Sequence, residues 1–248
     1  MKKIFIGTKN YEFPSSWNEL TKDQLLFISQ LFLKNLTKEE FVIHLTVFFS
    51  KLNIIQLSNL NPLIFEKLEH QYDWIWKKQN LTTQHFSVIR FGLKKLYGPA
   101  EGFSAMSYEQ FIIFAESYYQ LYIETKKEEH LNKFIASLYT LEKNKFNVDD
   151  FETITKKVSK LSATFKQSIV FFYIGNREYI GRRYEKIFPK GKSETAKKQK
   201  YDFLKVIEIL NKEDVSKNNE IKRTNIHEVF THLINIIEKD GRHSKTTN

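Results

Sequence analysis

Apolar side chains recur along most of this chain at three- and four-residue spacing, the period of a helix with one face turned inward. The pattern predicts helices over residues 22–34, 38–52, 62–79, 108–124, 126–141, 149–160, 164–188, 195–211 and 225–239. Several helix starts carry their own signal. Thr21-Lys22-Asp23-Gln24 places a hydroxyl three residues ahead of a glutamine, the form of a capping box, and Leu20 and Leu25 can close a hydrophobic staple around it. Thr37 to Glu40, Ser107 to Gln110 and Thr125 to Glu128 repeat the form, the first two with staples from Leu36 with Phe41 and Met106 with Phe111. Asn61-Pro62 supplies a cap and a proline at the first helical position. Pro189 is expected to end the seventh helix and Gly241 to cap the last one.

Two stretches break the helical period. Residues 3–13 and 87–97 alternate apolar and polar about a glycine-containing turn, as β-hairpins do. A shift of 85 lays Ile4 on Ile89, Ile6 on Phe91, Gly7 on Gly92 and Pro14 on Pro99. A shift of 86 then lays Thr21 on Ser107 and Gln24 on Gln110. A tandem hairpin–helix–helix duplication explains the match; turn and cap chemistry alone is the other explanation. Under duplication the two hairpins are expected side by side in one small sheet, because a lone hairpin is marginal in water. The fold class is therefore mainly α, about nine helices with two short β-hairpins. The expected organisation is a helical core over 1–188 (pseudo-repeats 1–85 and 86–188), a basic linker over 189–200, a C-terminal helical pair over 201–241 and a disordered tail over 242–248.

Composition narrows the chemistry. The 248 residues contain no cysteine, which removes disulfides, thiolate metal sites and cysteine nucleophiles and fits a reducing compartment. No apolar run reaches the roughly 18 residues of a spanning helix, and the apolar run after Met1-Lys2-Lys3 stops too soon for a signal peptide. A cytoplasmic protein is expected.

The net charge of +10 is lopsided: residues 1–124 carry 13 basic and 12 acidic side chains, residues 125–248 carry 26 and 17. Lysines outnumber arginines 33 to 6, and with frequent Asn, Ile and Phe this points to AT-rich coding and to charge that chiefly solubilises. Against that background the tract 177–200 stands out. It holds Arg177, Arg182, Arg183, Lys186, Lys190, Lys192, Lys197, Lys198 and Lys200 against Glu178, Glu185 and Glu194. Arginine's planar fork grips phosphate or carboxylate with two bonds, so these nine residues are the candidate anionic-partner site. The competing reading is a salt-bridged helix, with Glu178 four residues before Arg182, followed by a solvated linker. Tyr173, Tyr179 and Tyr184 interleave with the arginines, at a spacing that also suits a core.

Other constellations dissolve on inspection. His227 and His232 are five apart, about 140° round a helix, where HExxH zinc sites need four; they read as surface histidines beside a buried stripe of Ile226, Val229, Phe230, Leu233, Ile236 and Ile237. Glu128-Glu129-His130 point three ways from a helix and suit its N-terminus as solvated charge. Glu220 and Lys222 after Asp214 echo a nuclease E-x-K, but not on adjacent strands. Gly175 and Gly181 read as close-packing positions rather than a phosphate loop. The helix around 111–122 is apolar on more than one face and is either central or partly an interface; Trp17, Trp74 and Trp76 read as packing anchors. No catalytic, metal or cofactor residues are assigned.

Several local runs carry a resemblance. Ile4, Ile6, Gly7, Tyr11 and Pro14 followed by Trp17-Asn18-Glu19-Leu20-Thr21, then Tyr97-Gly98-Pro99, Leu138-Tyr139, Phe171 to Arg177 and Asn225 to Phe230 resemble a group of helical proteins encoded in phages and prophages of Bacteroidetes-type bacteria. The resemblance implies the setting of tail-assembly chaperones and virion accessory proteins, and brings no site residues. It implies a non-enzymatic assembly or interaction protein whose partners are other phage structural or assembly proteins or a second copy of itself, virion-associated or in the host cytoplasm. A nucleic-acid-binding protein using the 177–200 tract is the alternative.

Overall fold

The computed structural model describes residues 1–6, 9–58, 62–77, 79–188 and 218–243. In chain order the elements are β1 (Lys2–Ile6), β2 (Lys9–Phe13), α1 (Lys22–Phe32), α2 (Lys38–Ser50), α3 (Ile54–Ser58), α4 (Pro62–Gln71), α5 (Asp73–Trp76), β3 (Val88–Phe91) and β4 (Lys94–Tyr97). A π-helix (Glu109–Glu116) then runs into α6 (Ser117–Thr125), followed by α7 (Glu128–Leu138), α8 (Phe151–Val158), α9 (Ala163–Arg183), α10 (Asn218–Arg223) and α11 (Ile226–His243). The protein is mainly helical with two small antiparallel hairpins, as the patterning predicts.

The first two capping boxes are complete. Thr21 and Gln24 exchange hydrogen bonds, as do Thr37 and Glu40, and Leu20, Leu25 and Phe41 are buried behind them. The third is half-made: Ser107 Oγ accepts from the Gln110 amide, but the Gln110 side chain donates 3.0 Å to the Ser137 carbonyl instead. The fourth does not form. Thr125 closes α6, its hydroxyl bonded back to the Leu121 carbonyl at 2.7 Å, and Lys126 turns left-handed at φ 56° before α7 starts. The helix expected over 62–79 breaks at Tyr72, whose buried ring is packed edge-on against Phe13. Residues 195–211 and Pro189 lie outside the described residues. Gly241 does not cap: α11 runs through it, so Arg242 and His243 belong to a helix rather than to a tail.

The chain divides into two compact units, Met1–His85 with Leu161–Asn176, and Phe86–Lys160 with Arg177–Asn248. The C-terminal helix thus joins the second unit rather than standing apart. Among the described residues the hairpins form two separate two-stranded sheets, not one. β1 pairs β2 from Lys2↔Phe13 to Ile6↔Lys9, and β3 pairs β4 from Val88↔Tyr97 to Phe91↔Lys94. What β4 takes beyond its hairpin partner is a bridge to Thr140, with N–H···O distances of 2.8 and 2.9 Å between Tyr97 and Thr140. Each unit repeats one order: hairpin, a short 3-10 turn (Trp17–Glu19; Glu101–Phe103), then a helix opened by a hydroxyl residue.

In the first unit Trp17 is buried edge-on against Trp74 and beside Phe171. Asn18 ties down the loop behind it, its Oδ1 accepting from the Thr82 amide at 2.7 Å and the Thr83 amide at 3.1 Å. Gly175 of α9 lies against the same loop, where a Cβ would sit 2.1 Å from the Leu81 carbonyl oxygen. Gly181 meets nothing within 4 Å, so only the first of the two glycines is a packing position.

That difference sets opposite outcomes for one substitution. Gly175→Ala is expected to destabilise by about 1–3 kcal/mol or more, as overpacking does. Gly181→Ala is expected to stabilise by about 0.5–1 kcal/mol, as a helix-interior glycine replaced in open space does. Urea or thermal denaturation of the two variants measures both.

Candidate functional site

The described part of the basic tract lies in the second unit and is largely engaged within it. Arg177 emerges from α9 onto Glu116, the last residue of the π-helix. Its Nε reaches the two carboxylate oxygens at 3.1 and 2.9 Å and its Nη2 reaches Oε1 at 2.8 Å. Gln120 Nε2 donates to the same Oε1 at 2.8 Å. The Glu116 side chain is nearly buried, so Arg177 is its counter-charge, and truncating Arg177 would leave the carboxylate without it away from water. Arg183 donates to the Tyr179 hydroxyl at 2.8 Å, which raises its pKa, and Lys186 pairs with Glu238 of α11. Arg182 is exposed, its Nε 3.4 Å from the Glu178 carbonyl. Lys190, Lys192, Lys197, Lys198 and Lys200 lie outside the described residues. The interleaved tyrosines mostly pack: Tyr173 and Tyr184 are buried, and Tyr179 lies against Gly102.

α9 ends at Arg183, five residues short of the expected end, and the chain turns so that Tyr184 and Phe188 both pack against Phe230 of α11. This brings Tyr184 to His227. The histidine is not the surface residue that the helix pattern suggested; it is half-buried and bonded through both ring nitrogens. Its Nε2 is 2.7 Å from the Gly102 carbonyl and its Nδ1 is 2.7 Å from the Tyr184 hydroxyl. A carbonyl can only accept, so Nε2 carries the proton, and in the neutral ring that burial favours Nδ1 accepts from the tyrosine. Burial lowers the His227 pKa, the Gly102 carbonyl opposes that by favouring the protonated ring, and Arg183 lowers it further. His232 is exposed, and the buried stripe of α11 runs from Ile226 to Leu233 but leaves Ile237 in solvent.

The other candidates resolve into local roles. Glu129 pairs with Lys133 at 2.7 Å and His130 bonds Thr125, so the acidic run at the start of α7 does not converge. Glu220 and Lys222 sit on α10, away from any strand, and Asp214 lies outside the described residues. Among the described residues no three His, Asp or Glu side chains gather as a metal site. A cleft of about 650 Å³ in the second unit is lined by Glu109 and Asp149 together with Lys145 and Arg223, charges of both signs with no focus. The helical segment expected over 108–124 is divided by depth. Phe111, Ile112 and Ala115 of the π-helix are buried, whereas α6 buries no residue fully and exposes Leu121 and Ile123.

The first unit presents the feature that sequence reasoning missed. Phe32 at the end of α1 and Trp76 at the end of α5 touch, with ring centroids 5.8 Å apart, and remain 38% and 41% exposed. Leu33, next in the chain, is 48% exposed. Phe41 and Phe171 back this patch, each about 5 Å from the Phe32 ring. Trp76 is therefore a half-exposed surface residue rather than a core anchor. No local signal marked it: the break at Tyr72, which lifts Trp76 off the period of α4, depends on the burial of the Tyr72 ring.

Comparison of the chain with known protein families, with curated proteins and with solved structures finds no match in any of the three. Among the described residues no helix is long and apolar enough to cross a membrane.

The neutral His227 gives a pH dependence with a definite sign. Its folded pKa lies below its unfolded value near 6.5, so protons bind preferentially to the unfolded chain. Its contribution is complete above that value and is lost as pH falls through it toward the folded pKa. Urea midpoints measured from about pH 7.5 down to about pH 5.5 are expected to fall, and to fall less in His227→Gln, which has no proton to gain.

Proposed function

We propose that this is a non-enzymatic interaction protein, which holds another protein chain against the aromatic patch of Phe32, Leu33 and Trp76. One observation carries the reading: Phe32 and Trp76 touch, are partly open to solvent and are backed by further rings, and the exposed Leu33 adjoins Phe32 in the chain. Aromatic anchors of this kind dominate the energetics of protein interfaces. Two cations adjoin it in the chain: Lys34 follows Leu33, Lys77 follows Trp76, and both are exposed. The complementary partner is thus a protein surface with an apolar centre and an acidic rim. The sequence resemblance supplies a setting, the assembly of a phage or prophage particle in the host cytoplasm, where such a partner is a structural or assembly protein of the same particle.

Nucleic-acid binding through residues 177–200 ranks below this reading. Arg177 answers a nearly buried carboxylate, and Arg183 and Lys186, although exposed as Arg182 is, each hold a partner within the second unit.

Co-expression with the products of neighbouring genes, followed by size-exclusion chromatography, tests the proposal. The wild-type chain is expected to elute in a defined complex with a particle protein. Leu33→Glu with Trp76→Ala is expected to weaken that complex by at least tenfold, about 1.4 kcal/mol or more, while leaving the helical circular-dichroism signal in place. A wild-type protein that stays monomeric and ignores every such product overturns the proposal.

A further inference from the structure

The two hairpins differ at one place in a way that stability does not explain. Side chains directly opposite across an antiparallel pair share a face, and like charges there are destabilising. In the first hairpin Lys3 faces Glu12, with Nζ 3.6 Å from the carboxylate, and Phe5 faces Asn10. In the second, the position matching Phe5 and Asn10 holds Arg90 facing Lys95. Both are exposed, and among the described residues neither has a carboxylate partner. Residues 87–97 contain no Asp or Glu, and Lys157 adds a further cation with its Nζ 5.9 Å from the Phe91 ring.

The hairpin is firmly rooted and bare at its end. Ile89 and Leu96 are buried on the inner face, and Tyr97 is bonded to Thr140. Arg90, Gly92, Leu93, Lys94 and Lys95 are exposed. Gly92 takes φ 60° in the two-residue turn, which sets Leu93 at the tip with its whole side chain in solvent. The result is a narrow two-stranded ribbon, cationic on both strands and apolar at the tip.

We propose that this ribbon is a contact surface for duplex DNA. The DNA major groove admits a two-stranded β-ribbon. Arg90 and Lys95, with Cα atoms about 5 Å apart as opposed residues are, relieve their mutual repulsion by sharing the phosphates at the groove edge. Leu93 meets base edges, where a thymine methyl offers apolar contact. An acidic protein surface is the rival occupant, and the comparison with polyglutamate separates the two.

Fluorescence anisotropy of the full chain with a labelled DNA duplex of about 20 base pairs, titrated at several salt concentrations, tests this. Arg90→Gln with Lys95→Gln is expected to weaken binding at least tenfold and to lower the slope of log K against log salt by about 1.8, the share of two phosphate contacts. Lys2→Gln with Lys143→Gln removes the same charge elsewhere and is expected to change binding by less than about threefold. Lys95→Glu is expected to raise the thermal midpoint, because it places opposite charges across the ribbon, while it weakens DNA binding. Duplex RNA of the same sequence, whose major groove is too deep and narrow for side chains, is expected to bind more weakly than DNA.

Equal losses in the two Gln pairs overturn the proposal. So does tighter binding of polyglutamate than of DNA, or a Lys95→Glu variant that gains stability and keeps full affinity. The patch variant Leu33→Glu with Trp76→Ala is expected to bind DNA as the wild type does, so failure of the interaction reading and failure of this one are separable.

Discussion

A helix enclosed on several sides must find a partner for every polar group it carries, and α9 is under that constraint along most of its length. Ile169 to Tyr173 are buried without a break, which gives the helix almost no polar face to turn outward. Its polar residues are instead built into the packing. Ser168 donates to Ser29 at 2.7 Å, Asn176 donates to the Phe172 carbonyl at 2.9 Å, and Arg177 answers Glu116. Residues 163–176 belong to the first unit and Arg177–Arg183 to the second. The loss of any one of these bonds would leave a desolvated group behind, which costs more than the bond itself contributes.

The same constraint decides what Arg177 does in the basic tract. Charge counted along a sequence treats every arginine alike, but a guanidinium beside a nearly buried carboxylate is structural, whereas one on a solvated strand is available. Arg177 is of the first kind and Arg90 of the second. The sequence reading weighted three arginines clustered within seven residues and passed over the solitary Arg90, whose significance depends on which residue stands across the strand.

What could be read in advance follows from the range of the forces involved. The hairpins, the boxes at Thr21 and Thr37 and the helix start at Pro62 are set by residues within four of one another, and they form as the patterns imply. The misses are tertiary. Thr125 has the neighbours of an N-cap, yet its hydroxyl is drawn back to Leu121 because α6 extends further. Tyr72 interrupts a helix because its ring is buried with Phe13. The π-helix at Glu109–Glu116 has no periodic signature, since an apolar segment suits either helical winding. His227 was invisible as a buried residue because Tyr184 lies 43 positions away in the chain. The pairing of the two hairpins failed for a related reason: each one finds its support inside its own unit.

The helix ends at Lys51 and Lys126 have a consequence beyond the fold. Both take left-handed conformations, at φ 60° and 56°, in positions where glycine is the unstrained choice. Phe103 and Asn144 do the same in turns, and the whole chain contains only 8 glycines. Each such helix end therefore retains about 1 kcal/mol of conformational energy that a glycine in its place would release.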